Sequence, residues 1–401
     1  MTSIGIIGGG PAGVICAFFA AQNPDNKVFV LDKGIILNTL LPTGGGRCNL
    51  AYSEFDFKEL AKFYPRGQKF LYSVLSRFST ANTLEFFENI GVKTYTQDDS
   101  RIFPVSDSSK EVKQALLKQI DKKNIKKLFE KVISVKKTGN SFEVVTDKAS
   151  HRFDKLVIAT GGRGEGQKLA KILGHNIIAL KPALSALVTK EKDFSSISGL
   201  SLKNISVQVF FENKKVKDVQ GDFLFTHVGV SGPLVYKVSS YCAYCDFSEK
   251  SPLKIVFNLV NKDFSDFDKE FLEKLKTNAQ KETVNVVSEY VPKNLAIAIL
   301  KKEKIDTTIK AGQLSKVHRT AISKALTMFT LNAVKTVAGE EIVTAGGVDL
   351  KEIDSRTMAS KIVEGLYFCG EVMDIDGLTG GFNLQNCWST GYIAGSALCY
   401  S

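Results

Sequence analysis

Two glycine-rich turns stand at opposite ends of this 401-residue chain. The first is GGGPAG (8–13), reached through TSIGIIG (2–8); the second lies within CGEVMDIDGLTGGFNLQ (369–385). Residues 2–8 read as a short buried strand, because Ile4, Ile6 and Ile7 are apolar and β-branched. Gly8, Gly10 and Gly13 then fit G-x-G-x-x-G. The segment AGVICAFFAAQ (12–22) is apolar nearly all round, as a helix packed on a sheet should be. A second strand, VFVLD (28–32), ends in Asp32, 19 residues past Gly13. Strand, turn, helix and acid in this register form a dinucleotide-phosphate turn. Gly8 permits the tight turn. Gly10, with Pro11 and Ala12, lets backbone approach a pyrophosphate, and Gly13 lets helix and strand pack closely. The helix N-terminus adds N–H groups and a positive dipole. The acid at Asp32 suits a free ribose 2′-hydroxyl, hence FAD or NAD over NADP.

The second turn narrows the choice. GLYFCGE (365–371) reads as a strand ending in Gly370–Glu371, where a carboxylate can hold a ribityl hydroxyl. GGFNLQ (380–385) starts a helix whose first N–H groups, at Gly381, Phe382, Asn383 and Leu384, can face the flavin pyrimidine carbonyls. Asp374 lies in the loop between. A nicotinamide domain has no use for this second element; a flavin domain does. The expected cofactor is therefore FAD, in a site built from both termini, with something else inserted between.

The chain has ample length for two or three domains. A hydrophobic content of 44% and a charged content of 24% are those of a soluble globular protein. No apolar run reaches the ~18–20 residues of a membrane span. No basic region precedes an apolar stretch at the amino terminus, so a signal peptide is not expected. Seven cysteines, several in apolar contexts, suit a reducing compartment, and the expected location is the cytoplasm. The net charge of +11 could steer anions or RNA. The lysines are spread along the chain, however, and even the densest run, KKNIKK (122–127), reads as solvated surface. Nothing in the sequence sets the oligomeric state, and no metal site is expected.

The expected fold class is α/β. Beyond Asp32 comes TGGGRCNLAY (43–52), then helical patterns over 56–90. Two extended runs, VKTYT and RIFPVS, follow within 92–106. Ser108 with Glu111 makes a capping box for a helix through about Lys122. Three strand-like runs, 127–137, 141–147 and 153–162, come next, with Gly139–Asn140 turning between the first two. The last ends in a glycine cluster that would bring Ala159, Thr160 and Gly161 near the cofactor. From about 184 the character becomes β-rich, and 263–335 reads as helices, with KVHRTAISKALTMFTLNAV (316–334) taken as one. EEIVTAGGVD (340–349) is strand-like again. The expected division is a first part of the FAD domain over 1–183, a β-rich insert over 184–262, a helical insert over 263–337, and the second part of the FAD domain over 338–401.

GGGPAG (8–13), TGGGRCNL (43–50), RIFPVS (101–106), ATGG (159–162), FTHVGVSGP (225–233), TAGGVDLKEID (344–354), TMASK (357–361) and GEVMDIDGLTGGFNLQ (370–385) occur in order across nearly the whole chain. In these the chain resembles the YhiN/BaiN-type flavoproteins, also labelled NAD(P)/FAD-dependent oxidoreductases or the aminoacetone oxidase family. The resemblance implies a glutathione-reductase-like, Rossmann-type FAD domain interrupted by an inserted β-barrel-like and helical unit. It also implies that Ala12, Asp32, Lys33, Arg47, Asn49, Val132, Glu371, Asn383 and Leu384 lie at or near FAD. Two positions depart from the pattern: Asp32 stands where Glu is commoner, and Phe382 where Tyr is.

Flavin carries the electron chemistry and protein supplies orientation and electrostatics. Arg47, after Gly46 and before Cys48–Asn49, could stabilise a reduced flavin or a phosphate, or be a loop arginine paired to an acid. Cys48 could be a redox thiol, but no partner stands at CxxC spacing, and small buried packing fits it better. Cys242 and Cys245 do form CxxC, with exchange or half a metal site as the sharp readings; no matching pair follows. His227 is the histidine best suited to proton delivery, and Arg101 could anchor an anionic substrate or make a surface ion pair. No second G-x-G-x-x-G exists, since GGRGEG (161–166) lacks the spacing, so NADH or NADPH would act as a transient donor. The expected function is hydride transfer between flavin N5 and a small organic substrate. The alternatives are a flavin-dependent RNA-modifying enzyme, or a flavin redox sensor without turnover.

Overall fold

A computed structural model of the chain describes residues 1–123, 125–339 and 342–400. Asn124, within KKNIKK, and Glu340 and Glu341, which open EEIVTAGGVD, lie outside the described residues. The chain forms two compact units: Met1–Lys181 with Val343–Ser401, and Pro182–Ile342.

The first unit is built on a five-stranded parallel sheet. The opening strand Thr2–Ile7 pairs with Asn26–Asp32 on one side and Lys155–Ile158 on the other. Lys126–Phe129 extends the first edge and Leu366–Phe368 the second. Strand order therefore reverses at Thr2–Ile7, and ligands of such sheets bind outside the carboxyl ends at this reversal. Ile4, Ile6 and Val30 are fully buried, which explains why these strands read as continuous apolar runs. Helix Pro11–Ala20 follows the opening strand directly and packs along the C-terminal helix Phe382–Cys399. Ala51–Tyr52, Arg101–Pro104 and Thr94–Thr96 make a small antiparallel sheet, and Val132–Thr138, Ser141–Thr146 and Ser150–Phe153 another.

The second unit holds a closed six-stranded barrel, in the order Leu187–Thr189, Gly229–Ser231, Lys214–Phe225, Ser201–Phe211, Leu253–Asn258 and Phe329–Thr336. Phe223, Phe225, Phe257 and Phe329 interlock inside it, with Phe223 and Phe257 centroids 4.6 Å apart. Helices Phe264–Thr277, Lys293–Lys302 and Lys316–Thr327 share its apolar core.

Four local expectations are corrected. Residues 316–334 are not one helix: it stops at Thr327, and Phe329–Thr336 closes the barrel. Alternation wins there, with Phe329, Leu331 and Ala333 buried and both edges paired. The run 127–137 splits between two sheets, turning at Glu130, whose N–H donates to the Asp32 carbonyl at 2.9 Å. The run 153–162 breaks at Asp154, whose carboxylate accepts from the Ser3 N–H and hydroxyl. Ser108 makes no side-chain cap, and Glu111 instead accepts from the Ser106 hydroxyl.

Candidate flavin site

At the carboxyl end of the opening strand the chain turns under tight steric control. Gly8 has φ +112°, and a Cβ there would lie 2.4 Å from the Ala159 carbonyl oxygen; a Cβ on Gly13 would lie 2.0 Å from the Gly8 oxygen. Only glycines let strand, helix and the neighbouring strand end meet this closely. Asp32 locks the turn: one carboxylate oxygen accepts from the Gly9 N–H at 2.7 Å, the other from the Gly34 N–H at 2.8 Å. Each oxygen keeps a further lone pair for a ribose hydroxyl. Helix Pro11–Ala20 has no side-chain cap, and its first intrahelical bond runs from the Val14 N–H to Gly10. Its amino end is thus an uncapped positive pole. A Cβ on Gly10 would meet only Thr39, at 3.7 Å, so the approach to it is open.

The strand ends Ala159–Gly161 and Gly370–Glu371 reach the same edge of the sheet. Gln167 ties them, donating to the Gly161 and Val372 carbonyls at 3.2 and 3.3 Å. Thr390, on the C-terminal helix, accepts from the Gly370 N–H at 2.9 Å. Burial pushes the Glu371 carboxyl up to about 7, with Asp376 adding to the shift and Arg163 opposing it. Burial also raises Asp374, against the pull of Arg66. Asp376 is fully buried and pairs with Arg66 through both carboxylate oxygens.

The C-terminal helix points its amino end into this region. Its first internal bond is the Gln385 N–H to Gly381, so the N–H groups of Phe382, Asn383 and Leu384 precede it. With its amide oriented to satisfy both ends, Asn49 donates to the Ile102 and Ala51 carbonyls and accepts from the Gly381 N–H at 3.1 Å. Asn49 therefore joins the TGGGRCNL loop to the helix start. The Asn383 side chain is occupied within the protein, bridging the N–H and carbonyl of Gly377. Phe382 is buried, stacked on Phe63 at 4.5 Å, and its carbonyl accepts from the Tyr64 hydroxyl. The ring thus belongs to an aromatic cluster, and only its backbone serves the helix end.

Other expected residues take varied places. Arg47 lies 4.1 Å above the Phe103 ring, next to Gly45 and Gly46, where a Cβ would meet nothing within 4 Å. Its guanidinium reaches Asp107 only at 3.9 Å. Cys48 is wholly buried, and burial raises its thiol to about 12, so it is a packed thiol at neutral pH. Lys33 pairs with Glu165 at 2.6 Å on the surface. Val132 starts the antiparallel sheet opposite Thr146. Arg101 sits on a strand and pairs with Asp99 at 2.7 Å. His227 is exposed in the turn between two barrel strands of the second unit. Cys242 and Cys245 are free thiols whose pKa values burial raises, the reverse of an activated CxxC. Among the described residues no cluster of His, Cys, Asp or Glu could hold a metal ion, and no helix is long and apolar enough to cross a membrane.

Several buried polar groups stand here, and two of them, Gln167 and Asn386, are not singled out by the sequence. Thr160 Oγ1, Gln167 Oε1, Asp374 Oδ1 and both amide atoms of Asn386 are buried without a hydrogen-bond partner. Leaving such atoms unpaired costs about 1–3 kcal/mol each. Thr160 at a strand end, Gln167 on helix Glu165–Ile172, Asp374 just past Glu371 and Asn386 on the C-terminal helix fit a polar ligand of FAD's kind, while one further unpartnered atom, His318 Nδ1, lies in the second unit. Asn386 carried one available signal: polar residues cluster at 385, 386, 389 and 390 in a helix whose next turns are mostly apolar or small.

These features define a Rossmann-type FAD-binding fold. The profile of the HI0933-like protein Rossmann domain matches residues 2–397, and the chain belongs to that flavin oxidoreductase family. It is 29% identical over 409 residues to the 3-dehydro-bile acid delta(4,6)-reductase of Clostridium scindens, covering 99% of each chain. It is 30% identical over 402 residues to the ribosomal RNA dihydrouridine synthase of Escherichia coli, covering 96% of this chain and 95% of that one. Among solved structures, an open flavocytochrome c3 fumarate reductase aligns with 100% of this chain and 78% of its own, at TM-score 0.51 and 16% identity. A 3-ketosteroid delta1-dehydrogenase from Sterolibacterium denitrificans aligns over 100% of both chains, at TM-score 0.50 and 11% identity. These structural likenesses speak to fold alone.

Proposed function

We propose that the protein is an FAD-dependent reductase of a carbon–carbon double bond conjugated to a carbonyl. The observation that carries this reading is the pair of full-length relatives. The named activity of one reduces a dienone; that of the other, by its product, reduces the 5,6 double bond of uracil. Both add two hydrogens across an alkene polarised by a carbonyl. Bound FAD supplies two-electron chemistry at N5. The chain's residues do the rest. Gly10, Pro11 and Ala12 present the helix end to the pyrophosphate, and Asp32 accepts from the adenosine ribose. Glu371, whose carboxyl burial holds up to about 7, would offer a hydrogen bond to a ribityl hydroxyl. The N–H groups of Phe382–Leu384 would hold the pyrimidine edge of the flavin, and Arg47 would offer a cation from the adjoining glycine loop. NADH or NADPH serves as a transient reductant.

A small conjugated enone or dienone is the first substrate class. Uracil in ribosomal RNA is the second, favoured by two relatives of that name, in E. coli and Haemophilus influenzae, and by the net charge of +11. The FAD-loaded protein, reduced without oxygen, is mixed with a 3-keto-4,6-diene steroid or with unmodified ribosomal RNA. Flavin reoxidation with formation of the saturated product from either identifies the substrate class. RNA turnover would also fall steeply with added salt. Reoxidation by neither substrate would end this reading.

A further inference from the structure

The second unit carries a groove of about 640 Å³ between helices Lys293–Lys302 and Lys316–Thr327 and the segment 328–330. Its size is that of a small-molecule site, and nothing in the flavin chemistry uses it. Val317, Ala321 and Ala325, four residues apart, make an apolar stripe along one helix, joined by Ile299, Met328 and Phe329. Val317 is 76% exposed and Met328 55%. The small side chains Ala321 and Ala325 leave room in the groove, and the exposed ones present an aliphatic surface.

The rim is cationic. Lys316 and Lys324 stand on the neighbouring stripe, eight residues and so about 12 Å apart along the helix. Lys302 faces them from the other helix, its ammonium 5.2 Å from the Phe194 centroid and 5.8 Å from that of Phe329. None of these three lysines makes an ion pair with a described carboxylate, and Glu303 is the one acid lining the groove. Arg319, on the same helix, is instead tied to Asp268 at 2.9 Å. Unpaired cations beside an aliphatic floor match a molecule with an anionic head and an aliphatic body. RNA is a poorer match, because base stacking needs exposed rings and the floor's aromatic, Phe329, is 3% exposed.

We propose that this groove binds a free aliphatic carboxylate of the fatty-acid class, its chain on the Val317–Ala321–Ala325 stripe and its head at Lys302, Lys316 or Lys324. The test uses the full FAD-loaded protein and isothermal titration with decanoate, its methyl ester and a single-stranded RNA dodecamer. Decanoate is expected to bind one per chain, with the ester at least tenfold weaker. Lys324→Glu and Val317→Asp should each weaken decanoate at least tenfold. Both positions are surface sites, and an unchanged flavin spectrum and circular dichroism would confirm that the variants fold. Four outcomes would overturn the proposal: no decanoate binding, equal binding of the ester, binding unaffected by both substitutions, or displacement of decanoate by RNA. Attachment to anionic phospholipid vesicles without binding of free decanoate would overturn it too.

Discussion

Asp376 lies fully buried with Arg66 paired to both of its carboxylate oxygens, so Arg66 is a side chain whose removal the first unit should tolerate poorly. Arg66→Ala strands a buried charge, and the expected loss is about 3–5 kcal/mol, read from the midpoint of urea unfolding. Unchanged stability would mean the pair is not the structural tie it looks to be. Glu371 behaves oppositely. Its folded pKa of about 7 lies above the ordinary 4.5, so its contribution to stability is fully present below 4.5 and is lost as pH rises through 7. In the FAD-free protein, Glu371→Gln should therefore gain stability over wild type between pH 5 and 8, by at most about 3 kcal/mol. A difference flat across that range would contradict the burial of this carboxyl. His175 sits 2.9 Å from Glu352 and 3.0 Å from the Ser360 hydroxyl, the distances of a Ser–His–acid triad. Yet the Ser360 oxygen also accepts from the N–H groups of Ile362 and Val363, which makes it a turn brace rather than a nucleophile. Burial lowers the His175 pKa, against the pull of Glu352. Its stabilising contribution is thus present above about 6.5 and lost as pH falls further. Thermal melts of His175→Gln should lack that acid-side decline.

Among elements, the pairing of the first and last helices matters most for the cofactor. Gly391 and Gly395 let them touch: a Cβ would lie 2.6 Å from the Ala12 oxygen at one position and 2.5 Å from the Cys16 oxygen at the other. Both contacts are to backbone, so a side chain must push the helices apart. Gly391→Val should cost about 1–3 kcal/mol or more and lower FAD retention on gel filtration, because it displaces the amino ends that flank the site. Retention equal to wild type would show that the helix pair does not set the cofactor cradle. This packing also marks what sequence could reveal. The opening strand, GGGPAG and the start of the C-terminal helix were legible because glycine spacing and apolar periodicity are local. The barrel-closing strand 329–336 was not, because its partners at 187–189 and 253–258 fix it and its composition continues that of the helix before it. The bonds Asn49–Gly381 and Arg66–Asp376 were equally hidden, since each joins residues more than 300 positions apart. Local pattern placed the glycines and Asp32; it could not see that the side chains of Asn383 and Phe382 are spent inside the protein.

For the molecule as a whole, the two termini close one site while 161 consecutive residues, Pro182–Ile342, fold as a unit of their own. The first unit carries the Rossmann-type FAD-binding fold of its family, and with it the class of chemistry. The alkene it acts on is a matter of the proposed reaction, and that is open to a direct reading. The decisive measurement is an anaerobic single turnover: FAD-loaded protein is reduced with NADPH or dithionite, then mixed with a 3-keto-4,6-diene, with unmodified ribosomal RNA, and with an alkene that lacks a carbonyl. Flavin reoxidation, matched mole for mole by saturated product, is expected with a conjugated substrate and none with the isolated alkene. A protein that retains no FAD, or one whose reduced flavin is left untouched by every conjugated alkene, would contradict the proposed reaction.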